Sequence, residues 1–569
     1  MFDLTRKIVG LPIEARSRRR ARAFLNGTAH APEIQRDLLL QRIARHAESD
    51  FGRDHDFGEI RSIEEFQKRV PIRGYDGHEP YVARVREGHL NALFGPGSEV
   101  LMFAKTSGTT NSPKTIPVTR ESLADYRDGW TIWGIQAFDA HPEMLRHGLM
   151  PILQLVGDWR ETHTSAGVPC GAITGLTAHM QNPLIRVAYC VPRVTSLITD
   201  VESKYYAALR LSIMRRLGAA VAANPSTLLG IARLGDREKA TLIRDLHDGT
   251  IDPKWKITQE VRAKLKLWSR WPMKRAARRL EAIVERTGRL LPRDYWPHLQ
   301  FLANWTGGSM GAYLRSYPEY FGDRPVRDIG LVASEGRMTI PIEDHTAAGL
   351  LAYTHHFFEF IPEELGDRDQ PETVSPWDLV EGRNYFILLT TAGGLYRYHI
   401  QDLVRCVGFH GRVPLLEFLN KGSHISSLTG EKLSEHQAVA AVTFAQRHLG
   451  IRLTSFLMLP AWDDPPYYSL LVEAGDVATR AQSEQLAAAV ETELARVNIE
   501  YENKRATLRL GPLRVRRVAP GTWHEFQKRR LAQTGGTVEQ YKQPHLIPDL
   551  KVLATFPEVD ASVQVGSGR

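Results

Sequence analysis

Strand-length apolar runs spaced by helical stretches constrain this chain more than any other feature of its sequence. Val100 to Ala104, Leu149 to Val156, Ile329 to Ala333 and Tyr385 to Leu389 are such runs, and the turns around them are rich in Gly, Thr and Pro. Alternation of this kind predicts a layered α/β body, because each apolar strand face has to be covered by helices. Ahead of the first run the pattern is helical. A basic helix is expected from about Pro12 to Asn26 and another from about Pro32 to Glu48, followed by a loop at Phe51 to Asp54. After about Asn420 the order changes. Strands at Leu453 to Leu459 and Tyr468 to Val472 flank a turn at Asp463 to Pro466. An amphipathic helix follows from about Thr479 to Val497, then a strand near Thr507 to Val515 and a helical piece from Thr522. The fold class is therefore α/β: a large mixed α/β N-terminal body over residues 1–420 and a smaller α+β domain over residues 421–569.

The chain's 73 Lys plus Arg against 65 Asp plus Glu give a net charge of +8, and 43% of its 569 residues are hydrophobic. That balance excludes wholesale disorder, and the length excludes a peptide hormone or a lone binding module. Cys170, Cys190 and Cys406 stand in no CxxC or other ligand spacing, which supports neither a disulfide framework nor a zinc knuckle. Arg16, Arg18, Arg19 and Arg20 follow no apolar run of signal-peptide length, and no stretch approaches the roughly 18 apolar residues of a membrane span. A cytoplasmic protein without a membrane partner is expected. A second basic zone, Pro253 to Arg293, interleaves lysines and arginines with Trp255, Trp268 and Trp271. Helical spacing turns Leu265, Trp268 and Leu280 inward and leaves the cations as a solvated face, so no nucleic-acid partner is expected.

The segment Lys105-Thr106-Ser107-Gly108-Thr109-Thr110-Asn111-Ser112-Pro113-Lys114-Thr115 follows the first apolar run. A strand feeding a loop of glycine and hydroxyl side chains with a lysine nearby supplies N–H donors, O–H donors and one positive charge, which suit polyphosphate oxygens. A flexible hydroxyl-rich linker is the alternative. A Walker A motif is excluded, because GxxxxGK[ST] needs glycine where Pro113 stands and no helix opens after Lys114.

Thr106 to Lys114 resembles the phosphate-binding signature of the adenylate-forming superfamily. The remaining segments narrow the resemblance to the auxin-responsive Gretchen Hagen family of acyl acid amido synthetases. Thr306-Gly307-Gly308-Ser309-Met310, Val332-Ala333-Ser334-Glu335, Leu395 through Asp402 and Gln540-Tyr541-Lys542-Gln543-Pro544 occur in that family's order, with Phe51-Gly52 to Ile72 and Thr429 to Glu435 also similar. The resemblance implies an ATP- and Mg2+-dependent ligase that adenylates a carboxylic acid and passes the acyl group to an amine of an amino acid. It implies phosphate binding by Ser107, Gly108, Thr109 and Thr110 with Lys114 as auxiliary charge, and an adenine border of Val332, Ala333 and Ser334. Glu335 falls on the magnesium-associated glutamate, Asp402 on the ribose-binding aspartate with Arg397 beside it, and Lys542 on the catalytic lysine of a mobile C-terminal domain. Lys421 is a plausible hinge, and Thr306 and Met310 are candidates for the acyl pocket. His399, Gln401 and His545 depart from the family pattern, which has arginine, glycine and arginine there.

Other readings compete at single segments. Coenzyme A in place of the amine would share the first half-reaction. Gly307-Gly308-Ser309-Met310-Gly311 matches GxSxG, which would make Ser309 a hydrolase nucleophile. His355, His356 and Glu359 have the spacing of a metal helix, against which their aromatic neighbours suggest a buried strand. Trp130 and Trp133 would either wall an acyl pocket or belong to the core. A monomer or weak dimer is expected.

Overall fold

The computed structural model describes residues 2–106, 114–146, 148–181, 183–307, 310–366, 368–420, 422, 425–534 and 544–559. They form two compact units that divide between Leu419 and Asn420.

The first unit opens with α1 (Phe2–Asn26) and α2 (Ala31–Arg45). The expected loop at Phe51 to Asp54 is instead a short helix, because the Ser49 hydroxyl accepts from the Gly52 amide and caps it. Helix α3 (Tyr75–Arg86) precedes the antiparallel hairpin of β1 (Val100–Thr106) and β2 (Lys114–Thr119), in which Thr106 stands opposite Lys114. A capping box between Thr119 and Ser122 then starts α4 (Arg120–Ala140).

Three sheets build the rest of this unit among the described residues. The hairpin extends through β5 (Pro169–Gly171) to β4 (Thr162–His163). Strands β3 (Ile152–Gln154), β6 (Ala219–Val221), β7 (Phe301–Ala303) and β8 (Val326–Arg327) form a parallel sheet in that order. The third sheet runs β11 (Phe357–Pro362), β12 (Asn384–Thr390), β13 (Tyr398–His410), β14 (Val413–Asn420), β10 (Gly349–Leu351), β9 (Thr339–Ile340). One core joins all three, with Met102 from β1, Phe301 from β7, Ile340 from β9 and Ile387 from β12.

Two of the four apolar runs fold differently from expectation. Only Ile152–Gln154 of Leu149 to Val156 is strand, and Ile329 to Ala333 is irregular. There the Asp328 carboxylate accepts from the Gly330 amide, and Gly330 turns the chain at φ 87°, so the run cannot extend β8.

The basic zone folds as α5 (Gln259–Ser269) and α6 (Lys274–Thr287). Leu265 and Leu280 are buried as expected, but Trp268 is 47% exposed. Val261, Leu265 and Ser269 form the inward stripe at i, i+4 and i+8, and that register turns Leu267 and Trp268 outward.

The second unit pairs β15 (Ile425–Ser426) with β16 (Leu433–Ser434) and sets α7 (Glu435–Leu449) and α8 (Arg480–Val497) beside a three-stranded sheet. In that sheet β17 (Phe456–Ala461) is antiparallel to β18 (Tyr467–Glu473), which is parallel to β19 (Arg514–Val518). The last strand is shorter than expected and starts later. Asn498 caps an additional helix, α9 (Ile499–Ala506), that takes up the preceding residues. Helix α10 (Thr522–Thr534) follows.

Candidate functional site

Lys114 opens β2 at the far end of the hydroxyl-rich connection, and Ser107, Gly108, Thr109 and Thr110 lie outside the described residues. What frames that connection is visible. Tyr75, the first residue of α3, donates its hydroxyl to the Thr115 carbonyl at 3.0 Å and accepts from the Thr115 amide at 3.1 Å. Arg86 donates to Thr115 Oγ1 at 2.8 Å, and the Lys114 ammonium sits 5.5 Å from the centre of the Tyr75 ring. Burial, first, and Glu79 push the Tyr75 phenol up to about 12.

Two further elements, β13 and the turn that carries Glu335, converge on the same place through Tyr398, the buried first residue of β13. Its hydroxyl donates to Glu335 Oε1 at 3.4 Å, and its ring meets His78 of α3 edge-on at 5.7 Å. Burial and then the charges of Glu335 and Asp402 hold its phenol well above the ordinary tyrosine range, with Tyr75 contributing too. Glu335, Asp402, Tyr75 and Tyr398 therefore share one electrostatic neighbourhood at the Lys114 end of the hairpin.

The turn that presents Glu335 is held at its base. Val332 bridges Arg337, while Ala333 and Gly336 exchange backbone bonds at 2.9 and 3.3 Å, putting Ser334 and Glu335 at the tip. A Cβ on Gly336 would lie 2.3 Å from His356 Nε2, so the imidazole packs directly beneath the turn. His356 is buried, and that burial, with Arg42 and His355 beside it, holds it neutral. His355 meets Asp128 at 2.8 Å and Glu359 is ion-paired to Arg397 at 2.9 Å. The His355, His356 and Glu359 trio is therefore scaffold, and among the described residues no cluster of three such side chains could hold a metal.

Arg397 is used by the fold. Its guanidinium is buried, pairs with both Glu359 oxygens and donates to the carbonyls of Gln67 and Val70 at 2.8 Å, so its donors are engaged by the protein itself. Beyond His399 the strand bulges. Register slips between Phe386 and Leu388 where Gln401 adopts φ 66°, and the buried Asp402 follows. A left-handed residue explains why glycine is usual at Gln401 in sequences that resemble this one.

Thr306 is bound from below. Its amide and hydroxyl donate to Asp328 Oδ2 at 2.6 and 2.7 Å, and Gly330 N–H donates to the other oxygen at 2.6 Å. Burial pushes the Asp328 carboxyl up to about 6 against the hydrogen bonds that pull it down. Trp133 is buried and donates to the Asp328 carbonyl, while Trp130 lies 4.2 Å under the buried Arg337 guanidinium. Met310 is half-buried at the start of Gly311–Leu314, and Ser309 lies outside the described residues. So do Lys421 and Lys542, whereas His545 is seen in the second unit donating its amide to Glu435. Sequence reasoning missed Tyr75, Tyr398 and Asp328, and weighed His356 as a metal ligand or buried core and not as the support beneath the Glu335 turn. Only Tyr398 carried a signal, standing inside the Leu395 to Asp402 segment.

A hairpin with a hydroxyl-rich connection, a carboxylate on a tight turn and a buried aspartate at a strand bulge, on a layered α/β body, are the features expected of an adenylate-forming ligase. The chain belongs to the GH3 family. The profile of the GH3 family N-terminal domain matches residues 20–326, that of the central domain residues 349–421 and that of the C-terminal domain residues 436–551. The chain is 25% identical to a probable indole-3-acetic acid-amido synthetase, GH3.1, of Oryza sativa subsp. japonica, over 91% of this chain and 88% of that one. It is 23% identical to the jasmonoyl–L-amino acid synthetase JAR6 of Nicotiana attenuata, over 92% of each. The solved GH3.15 acyl acid amido synthetase shares the fold with a TM-score of 0.63 at 21% identity, over 93% of each chain. The chain is accordingly an acyl acid amido synthetase, an ATP-dependent, AMP-forming carbon–nitrogen ligase, and the hydrolase reading of GxSxG falls away.

Proposed function

We propose that the neighbourhood of Tyr398 is the nucleotide end of this ligase, and that it activates a hydrophobic carboxylic acid for transfer to an amino acid. The convergence of Glu335, Asp402 and Tyr398 beside the Lys114 end of the hairpin carries the reading. Ser107, Gly108, Thr109 and Thr110 bind the β- and γ-phosphates, with Lys114 as auxiliary charge. Val332, Ala333 and Ser334 border adenine, and Asp402 accepts from the ribose hydroxyls. Glu335 suits Mg2+, because no Lys or Arg among the described residues forms an ion pair with it. One carboxylate together with substrate phosphates is the usual way this ion is bound. When bound, it neutralises charge on the phosphates. Tyr398, kept protonated by burial, fixes Glu335 as a donor, and Arg397 props the strand through Glu359 instead of touching nucleotide. Thr306 and Met310 lie at the acyl end, where the indole-3-acetate and jasmonate of the relatives' names suggest an apolar acid.

Residues 1–420 then serve as the adenylation domain, and residues 421–569 as a smaller mobile domain whose Lys542 offsets charge at the α-phosphate. The division of the chain between Leu419 and Asn420 supports that boundary. Three free cysteines suit a reducing, cytoplasmic compartment, and the protein acts as a monomer or weak dimer. The test is release of pyrophosphate and AMP from ATP and magnesium across a panel of carboxylic acids, with and without amino acids, products being read by mass. Acid-dependent pyrophosphate with an amide product is expected; a coenzyme A thioester in place of the amide, or no ATP binding at all, would overturn the reading.

A further inference from the structure

The corner between α5 and α6 exposes what an aqueous surface does not need. Leu267 is 63% exposed, Trp268 47%, Trp271 65% and Met273 39%. Four large apolar side chains within seven residues form a patch of the kind that marks an interaction site. Looseness does not explain them, because the backbone beneath is pinned. Arg210 donates to the Ser269 carbonyl at 3.2 Å and the Met273 amide donates to the Leu246 carbonyl at 2.8 Å. Gly249 sits so close that a Cβ there would lie 2.7 Å from the Arg270 carbonyl. The fold holds the apolar tip outward.

The charge around the tip has one sign. From Lys264 to Arg279 the basic residues are Lys264, Lys266, Arg270, Lys274, Arg275, Arg278 and Arg279, and the stretch contains no Asp or Glu. Lys264 is paired with Glu260, but Lys266, Lys274, Arg275, Arg278 and Arg279 form no ion pair with another described residue. Arg279 also lines a cleft with Arg215, Arg216 and His298. The Arg270 guanidinium lies 4.9 Å over the Trp271 ring, which keeps cation and aromatic face together at the tip.

We propose that this corner is a docking surface for an anionic lipid bilayer. Tryptophans with an apolar body and a polar N–H settle at the headgroup level, while Leu267 and Met273 reach the acyl boundary and the cations meet acidic headgroups. Nucleic acid would use the cations and could stack on the tryptophans, but it leaves exposed Leu267 and Met273 with no counterpart. The attachment is peripheral, since among the described residues no helix is long and apolar enough to cross a membrane. It would bring the enzyme to where hydrophobic acids partition.

The test is co-sedimentation of the full-length protein with vesicles of phosphatidylcholine, with or without phosphatidylserine, for the wild type, Trp268→Ala/Trp271→Ala and Lys274→Glu/Arg275→Glu. Binding only to the phosphatidylserine vesicles, weakened by salt, is expected, and each exposed-surface double variant should bind about tenfold more weakly with its ligase rate in solution unchanged. Absence of binding to phosphatidylserine vesicles, or binding that survives Trp268→Ala/Trp271→Ala, would overturn the proposal. So would duplex DNA bound at least as tightly as vesicles and lost in the same variants, which would make the corner a nucleic-acid surface.

Discussion

Tyr398 shows how single residues set up this site. A buried phenol with two carboxylates nearby keeps its proton and so has one to donate, and the carboxylate it fixes is Glu335. Replacing Glu335 with Gln keeps the shape and removes the charge. Adenylation should then require about tenfold or more magnesium, measured as pyrophosphate release across a magnesium titration. Asp402→Ala should weaken ATP binding by about 1 to 3 kcal/mol, the cost of lost buried hydrogen bonds, and calorimetry showing unchanged affinity would remove it from the ribose site. His78 supports Tyr398 from behind. Its Nδ1 faces the Gly74 carbonyl at 3.1 Å, and its Nε2 faces both the carbonyl and the amide of Tyr396 at 3.0 and 3.1 Å. Burial lowers the group to about 4, so the ring is neutral, with Nδ1–H donating to Gly74 when Nε2 accepts from the Tyr396 amide. A histidine whose folded value lies below its unfolded one stabilises above pH 6.5 and loses that contribution as pH falls through about 4. Between pH 7 and pH 4 the wild type should therefore lose on the order of 3 kcal/mol more than His78→Gln, read from urea transitions at both values.

Elements place these residues by means that differ in how far they can be read in advance. Strand β1 was visible from its apolar run and the hydroxyl-rich connection after it, whereas the return of the chain as β2 was not expected. The bulge in β13 left a subtler one. Gln401 stands where glycine is usual, and φ 66° at that position gives the reason. Gln401→Gly should relieve left-handed strain that exceeds glycine's entropic cost, stabilising the protein by about 0.5 to 1 kcal/mol in thermal unfolding with ATP affinity kept. The irregular stretch after β8 and the outward Trp268 could not be foreseen. The first follows from one carboxylate, Asp328, reaching Thr306 in another segment, and the second from a register shared with Val261 and Ser269. Apolar composition alone distinguishes neither outcome, since partners distant in sequence decide them.

At the scale of the whole molecule, the order of segments carried the class of enzyme, because a nucleotide needs phosphate, metal, base and ribose contacts and each leaves a short stretch of characteristic chemistry. Scaffold contacts such as His356 beneath Gly336 leave no such mark, because they join positions separated in the sequence. In the proposed function, adenylation draws on one lysine of the second unit, Lys542. In the first half-reaction a carboxylate attacks a phosphate that is already negative, so a positive charge brought to that point lowers the barrier without being needed to hold ATP. In the second half-reaction an amine attacks an acyl carbon, and the same charge has less to offset. Lys542→Ala should therefore slow acid-dependent pyrophosphate release by about 100-fold or more with ATP affinity nearly unchanged. Acyl-adenylate prepared separately and supplied to the variant should pass its acyl group to the amino acid at close to the wild-type rate. Equal slowing of both half-reactions would assign Lys542 to general integrity of the second unit, and an unaltered first half-reaction would remove it from adenylation altogether.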